Sequence, residues 1–300
     1  MLKVNKKYGE IGMSIHWPPS LIEDIARGRC IFFLGAGISS SAETPSPERR
    51  KPKTWGEFLS SINNQYISNA SDKDFINSLI QHKQFLLALQ CIYDLIDKGT
   101  YHHIVEEEFS NPDYKPSKVH ELIYDIDPKI IITTNFDFIY EKTIPRQAFT
   151  KVIYNSCNNY SDAIRSNKRV LVYAHGNVDS IGDIVFTKEQ YFKAKRSYPE
   201  FFSITQGLFM TNTVLFLGCG LNDPDINLLL ENVYIRTSST KPHYNVTLVG
   251  IHNSVKRDWK CSYNIETIEY GPNYSDLVRE LQELKNLVEG YKSSYGIGKI

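Results

Sequence analysis

Four short stretches hold the residue types from which chemistry can be built. "KIIITTNFDFIYE" (129–141) places Asn135 and Asp137 at alternate positions just past an apolar run. "RVLVYAHGNVDS" (169–180) ends a second apolar run in His175-Gly176. "IFFLGAGISSSAET" (31–44) and "TVLFLGCGLNDPDINLLL" (213–230) each turn an apolar run through Gly-x-Gly, at Gly35-Ala36-Gly37 and Gly218-Cys219-Gly220. An imidazole with a pKa near 6.5 accepts a proton at neutral pH. A glycine turn that opens a helix offers backbone N–H groups to an anion and lets a pyrophosphate approach closely.

Each group also has a plainer reading. Asn or Asp after a strand often caps a helix, although two at alternate positions leave one over. A lone histidine is more often structural, but His175 stands at a strand's carboxyl end and is followed by glycine. Asp223, Pro224 and Asp225 fit the cap and first turn of a helix, and are read as capping residues rather than catalysts. "SPERRKPK" (46–53) has the charge to attract phosphate, but reads more simply as a solvated, mobile loop. His102-His103 with Glu106-Glu107-Glu108 reads as a solvated helix face.

Several motif classes are excluded. The dinucleotide fingerprint needs a third glycine where Ser40 stands, and an acidic strand end about 20 residues later; neither is present. No Gly-Lys-Ser/Thr follows either glycine turn, and "HELIY" (120–124) lacks the second histidine of a zinc-protease helix. The five cysteines form no C-x-x-C pair, which argues against a zinc ribbon or a disulfide framework. No metal site is expected.

The elements that must position these groups alternate. Apolar runs at Ile31–Leu34, Lys129–Thr133, Val152–Tyr154, Arg169–Ala174, Thr213–Leu217, Asn245–Val249 and Ile265–Tyr270 read as strands buried on both faces. Helical patterns lie between them, so the fold class is α/β: a Rossmann-like, mainly parallel sheet flanked by helices. Residues 55–110 lack any strand signal and form a helical insertion after the first strand, either a lid over a ligand or a packing module. The expected organisation is an N-terminal tail over 1–20, one domain over 21–290 and a C-terminal tail over 291–300. In the last helix Leu277, Leu281, Leu284 and Leu287 have helical spacing.

Composition narrows the partners. Lys+Arg and Asp+Glu both number 34, so there is no basic excess to suggest direct nucleic-acid binding. No run approaches the roughly 18 apolar residues of a membrane span, and the first twenty residues lack a signal-peptide core. The expectation is a soluble, cytoplasmic protein.

In this order the four turns resemble the sirtuin fold. "GAGIS" is similar to its opening motif, and "TTNFD" to its Thr-Gln-Asn-Ile-Asp motif, with Asn135 and Asp137 in register. "HG" matches the position of the catalytic histidine, and "GCGL" the late glycine turn that receives the adenosine end of NAD. The four-cysteine zinc module and the Gly-Ile-Pro-Asp-Phe-Arg segment of protein-deacylating sirtuins are absent. Thr54-Trp55, the inserted helices and "LNDPDI" resemble the bacterial sirtuin-like branch of anti-phage defence, whose members hydrolyse NAD. The resemblance implies NAD as substrate, with Asn135 and His175 catalytic. It implies a binding surface of Gly35, Ala36, Gly37, Ile38, Thr134, Asp137, Gly218, Gly220 and Leu221. Asn135 would position water and a ribose hydroxyl, and Asp137 would bond the nicotinamide carboxamide. It further implies control by a homo-oligomer or by a partner such as a HerA-type ATPase. An NAD-dependent protein deacylase and a non-catalytic NAD or ADP-ribose sensor are the rival readings.

Overall fold

The computed structural model describes residues 15–298 apart from positions 46, 48, 111, 146–147, 167, 221–229 and 231–240. Seven strands form one parallel sheet: β1 (Cys30–Leu34), β2 (Ile130–Thr133), β3 (Phe149–Ile153), β4 (Arg169–Tyr173), β5 (Thr213–Leu217), β6 (His243–Leu248) and β7 (Ile265–Tyr270). Their order is β3-β4-β2-β1-β5-β6-β7. The chain leaving β1 returns as β2 on one side, and the chain leaving β5 returns as β6 on the other. The crevice beyond the carboxyl ends of β1 and β5 is therefore the topological switch point, where open α/β sheets take ligands. All seven expected strands are present. The third begins earlier than the apolar run alone suggested, because its start lies at the sheet edge and is only half-buried.

Both faces of the sheet are covered, which is why the strands read as unbroken apolar runs. Phe32 and Leu34 of β1 pack with α1 (Pro19–Ala26), α7 (Lys118–Ile126) and the C-terminal helix Asp276–Tyr295. Ile31 and Phe33 pack on the other face with α8 (Tyr160–Arg165), α9 (Lys188–Ser197), α10 (Pro199–Thr211) and the helix Asn253–Tyr263. Between β1 and β2 come the short α2 (Ala36–Ser39) and then α3 (Trp55–Tyr66), α4 (Ala70–Gln81), α5 (Phe85–Leu95) and α6 (Lys98–Val105). These last four share a separate core with Phe136, Val178, Ile184 and Phe186, from the loops after β2 and β4.

Packing reaches residues near both ends of the described chain. Ile15 and Trp17 are buried in the main core. The last helix runs to Tyr295, and Lys292 is buried with its Nζ 2.9 Å from Asp127 Oδ2. Arg169 donates to the same carboxylate. The buried stripe of that helix is Leu277, Leu281, Leu284 and Val288, while Leu287 is half-exposed. Steps of four, three and four residues keep the buried stripe on one face at about 100° per residue, whereas the second step of three to Leu287 turns it about 80° away.

Candidate active site

The strand register sets the site. Thr133 lies beside Leu34 on one flank and Tyr173 on the other, and Leu34 lies beside Leu217. Asn135 and His175 each stand two residues past a paired end, and both glycine turns begin one residue past theirs. Four sequence-distant turns thus open on one edge of the sheet.

The glycine turns pack on each other. Gly35 N–H donates to Leu217 O at 3.0 Å, and Gly37 N–H to Gly218 O at 2.9 Å. A Cβ on Gly35 would stand 2.6 Å from Gly218 O, and one on Gly218, whose φ is +66°, would stand 2.5 Å from Ile38 N. Backbone contact between turns therefore requires both glycines. The N–H of Gly37, expected to face a diphosphate, is bonded within the protein, and so is that of Ile38, which donates to Gly35 O. Gly220 differs, since a Cβ there would meet nothing within 4 Å among the described residues. Leu221 and the expected capping residues Asp223, Pro224 and Asp225 lie outside the described residues.

Asn135 is locked onto the first glycine turn. Its Nδ2 donates to Gly35 O at 3.0 Å and to Ser39 Oγ at 2.9 Å. A carbonyl oxygen can only accept, so the amide's orientation is fixed and Oδ1 is its remaining acceptor. Its backbone N–H donates to Thr133 Oγ1, which in turn donates to Leu34 O, each at 3.0 Å. Ser39 Oγ donates to Asp137 Oδ2 at 2.7 Å, and Ile139 N–H donates to Oδ1 at 2.9 Å. Burial lifts the Asp137 carboxyl above the usual carboxylate range; the Ser39 hydroxyl, the backbone N–H and Lys142 pull the other way. Thr134 N–H leans on Leu34 O at 3.4 Å.

His175 sits on a turn fastened at both ends. Val185 N–H donates to its carbonyl at 2.9 Å, and Gly176 takes φ +79° where a Cβ would stand 2.9 Å from Asp183 O. Val178 N–H donates to Phe136 O at 3.1 Å, which joins the histidine turn to the Asn135 turn. Phe136 lies between Asn135 and Asp137 in sequence. Its ring packs edge-on against Phe186 at 4.6 Å and against Phe109 at 5.5 Å, inside the core of the insertion.

Two plainer readings from sequence hold in part: His102, His103, Glu106 and Glu107 are exposed, as are Arg49, Arg50, Lys51 and Lys53. Glu108 is only 3% exposed and holds Arg50 Nη2 at 2.8 Å and Lys53 Nζ at 2.9 Å. The basic loop is therefore anchored through these two cations, and Glu108 is no solvated face. Ser39, Thr133, His120 and Tyr140 escaped the sequence reading. His120 lies fully buried among Val119, Leu122 and Ile123 of α7, and burial holds its pKa at about 4. Among the described residues no three His, Cys, Asp or Glu cluster as a metal site.

The fold and site define an α/β domain with a parallel sheet whose turns converge at the switch point, and the family model described as "SIR2-like domain" matches residues 129–268, which span β2 to most of β7. The glycine turn after β1 lies outside that match. Among curated proteins the chain is similar to Defense-associated sirtuin 2 of Bacillus subtilis, 23% identical over 285 residues, covering 88% of this chain and 27% of that protein. It is 25% identical over 228 residues to NAD(+) hydrolase ThsA of Enterococcus faecium, covering 74% of this chain and 44% of that protein. The ThsA of Acinetobacter baumannii is 24% identical over 158 residues, or 50% of this chain and 32% of that protein. The chain thus spans less than half the length of each of these relatives. No helix of the described residues is long and apolar enough to cross a membrane.

Proposed function

We propose that this chain is an NAD glycohydrolase that cleaves NAD and water to nicotinamide, ADP-ribose and a proton, and that it acts in anti-phage defence. The observation that carries the reading is the placement of Asn135: an amide pinned by Gly35 O and Ser39 Oγ, one strand from His175, at the sheet's switch point. The relation to ThsA NAD(+) hydrolases supports the choice of substrate. The nicotinamide leaving group is already cationic, so no general acid is needed; the site must orient the ring, position water and stabilise an oxocarbenium-like transition state. Asn135 Oδ1 accepts from the attacking water or a ribose hydroxyl, His175 takes the proton, and Asp137 bonds the carboxamide. Gly35, Ala36, Gly37, Ile38, Thr134, Gly218, Gly220 and Leu221 form the surface that receives the dinucleotide.

Unrestrained turnover would drain the host's NAD, so activity is gated by a homo-oligomer or a separate partner, for which a HerA-type ATPase is the candidate. The test is nicotinamide release followed by mass spectrometry, with and without such a partner. Asn135→Ala and His175→Ala should each lower it by about 10²-fold or more. Undiminished release in both variants refutes the assignment, and binding of NAD without turnover under every condition favours a sensor.

A further inference from the structure

Helix α6 carries a buried stripe at Tyr101, Ile104 and Val105, and helical spacing puts the next stripe position at 108. A glutamate stands there, buried, on the π-helical turn Glu106–Ser110 that continues α6. Such turns are rare and frequently mark functional places in a helix. A buried carboxylate is costly unless it is paired. Both oxygens of Glu108 are taken: Oε2 by Arg50 Nη2 at 2.8 Å and Lys53 Nζ at 2.9 Å, and Oε1 by the Lys53 backbone N–H at 3.1 Å. An apolar side chain would fill the stripe at no greater cost, since replacing a buried ion pair by apolar groups is often neutral or stabilising. The carboxylate therefore points to a geometry that it imposes on its partners.

Both partners lie on the loop that leads from the glycine turn after β1 to α3. The backbone of Arg50 is tied toward that turn as well: Thr44 N–H donates to Arg50 O at 2.8 Å, and Arg50 N–H donates to Thr44 Oγ1 at 2.9 Å. The residue after Glu108 faces elsewhere. The Phe109 ring lies 5.3 Å from Phe58 and 5.5 Å from Phe136, the residue between Asn135 and Asp137. We propose that Glu108 is a positioning residue: through Arg50 and Lys53 it fastens the loop that leaves the glycine turn to the same π-helical turn whose Phe109 supports the Asn135 loop. Two sides of the candidate site are then set by one joint. The consequence for turnover rests on the NAD-hydrolase reading; the joint does not.

The test has two arms, so the two readings fail separately. The first is trypsin cleavage of the full chain without nucleotide, with fragment ends read by mass spectrometry and melting temperatures taken on the same preparations. Arg49, Arg50 and Lys53 are exposed and offer the cleavage points. Glu108→Leu should speed cleavage within 49–53 by about tenfold or more, while the melting temperature stays within about 3 °C of wild type. Should that variant fail to fold, Arg50→Met changes only an exposed side chain and should speed cleavage after Lys53 by about threefold or more. Unchanged cleavage overturns the proposal. So does faster cleavage at every site in step with a lowered melting temperature, which marks a carboxylate that only stabilises. The second arm is steady-state nicotinamide release. Glu108→Leu should raise KM for NAD about fivefold or more with kcat within about twofold, because its loop follows the turn that receives the dinucleotide. Phe109→Leu, which loosens the ring beside Asn135, should lower kcat about fivefold or more with KM within about twofold. Wild-type KM in Glu108→Leu, or the same loss of both constants in the two variants, overturns the positioning role. Absence of release from the wild-type chain refutes the hydrolase reading alone and leaves the first arm to judge the joint.

Discussion

Gly218 and Gly220 are two residues apart in one turn, yet the structure gives them opposite reasons to be glycine. Alanine at 218 must adopt φ +66° and push its Cβ to 2.5 Å from Ile38 N and 2.9 Å from Gly37 C. The neighbours are backbone atoms and cannot rotate away. The two turns must separate, which breaks the Gly37 N–H bond to Gly218 O. Left-handed backbone, overpacking and a lost hydrogen bond together cost about 3–5 kcal/mol. In a chain of this size that lowers the melting temperature by about 8–15 °C. Alanine at 220 meets nothing within 4 Å among the described residues and should leave stability within about 0.5 kcal/mol of wild type, or raise it slightly by restricting the unfolded chain. If Gly220 instead serves close approach of the dinucleotide, Gly220→Ala weakens NAD binding while the fold keeps its stability. Urea denaturation and calorimetric titration with NAD separate the two effects. Gly218→Ala within about 1 kcal/mol of wild type, or Gly220→Ala as destabilising as Gly218→Ala, would refute the turn-on-turn packing argument.

Ser39→Ala removes the hydroxyl that accepts from Asn135 and donates to Asp137, so nicotinamide release should fall by more than about tenfold while stability drops by about 1–2 kcal/mol, read by kinetics and denaturation on the same preparation. Asp127→Asn keeps a residue that tolerates the local φ of +70° but leaves Lys292 and Arg169 without their buried carboxylate, which should cost about 3–5 kcal/mol in urea denaturation. Burial holds His120 and His243 at a pKa of about 4, against 6.5 when unfolded. Their contribution is complete above pH 6.5 and is lost as pH falls from there toward 4, by about 3 kcal/mol each. Asp137, held high by burial, works with the opposite sign, and its protonation offsets part of that loss. A double variant His120→Gln/His243→Gln should flatten the stability profile between pH 6.5 and 4; an unchanged slope would count against burial as the cause.

The sheet was legible because strands covered on both faces leave continuous apolar runs, and the turns were legible because each run stops at glycine, Asn or His. The network between the turns was not. Ser39 is 96 residues from Asn135 and 98 from Asp137, and nothing local distinguishes it from Ser40 and Ser41. Ser40 Oγ only folds back on Gly37 O, and Ser41 faces Ser117. His120 was hidden for a related reason: in "HELIY" it reads as half of a failed metal motif, and only the packing of α7 shows it buried. Close approach was inferred, but at Gly35 and Gly218 the approaching partner is the protein's own backbone.

The helical insertion bears on the candidate site through Phe136 beside Asn135 and through Val178 on the histidine turn. Strand-like alternation in "TTNFD" sends Asn135 and Asp137 toward Ser39 and sends Phe136, between them, into the aromatic core shared with Phe58, Phe109 and Phe186. Val178 N–H then bonds Phe136 O, so the histidine turn follows the same anchor. Under the proposed assignment the Asn135 amide and the Asp137 carboxyl must hold their positions to within about 0.5 Å to be effective. Here that precision depends on both sides of one loop: a hydrogen-bonded hub at Ser39 and an edge-on ring at Phe136. The insertion is therefore part of the machinery that positions the site. A shift of its aromatic core would displace Phe136 first and carry Asn135 and Asp137 with it, whether or not the helices ever cover the ligand.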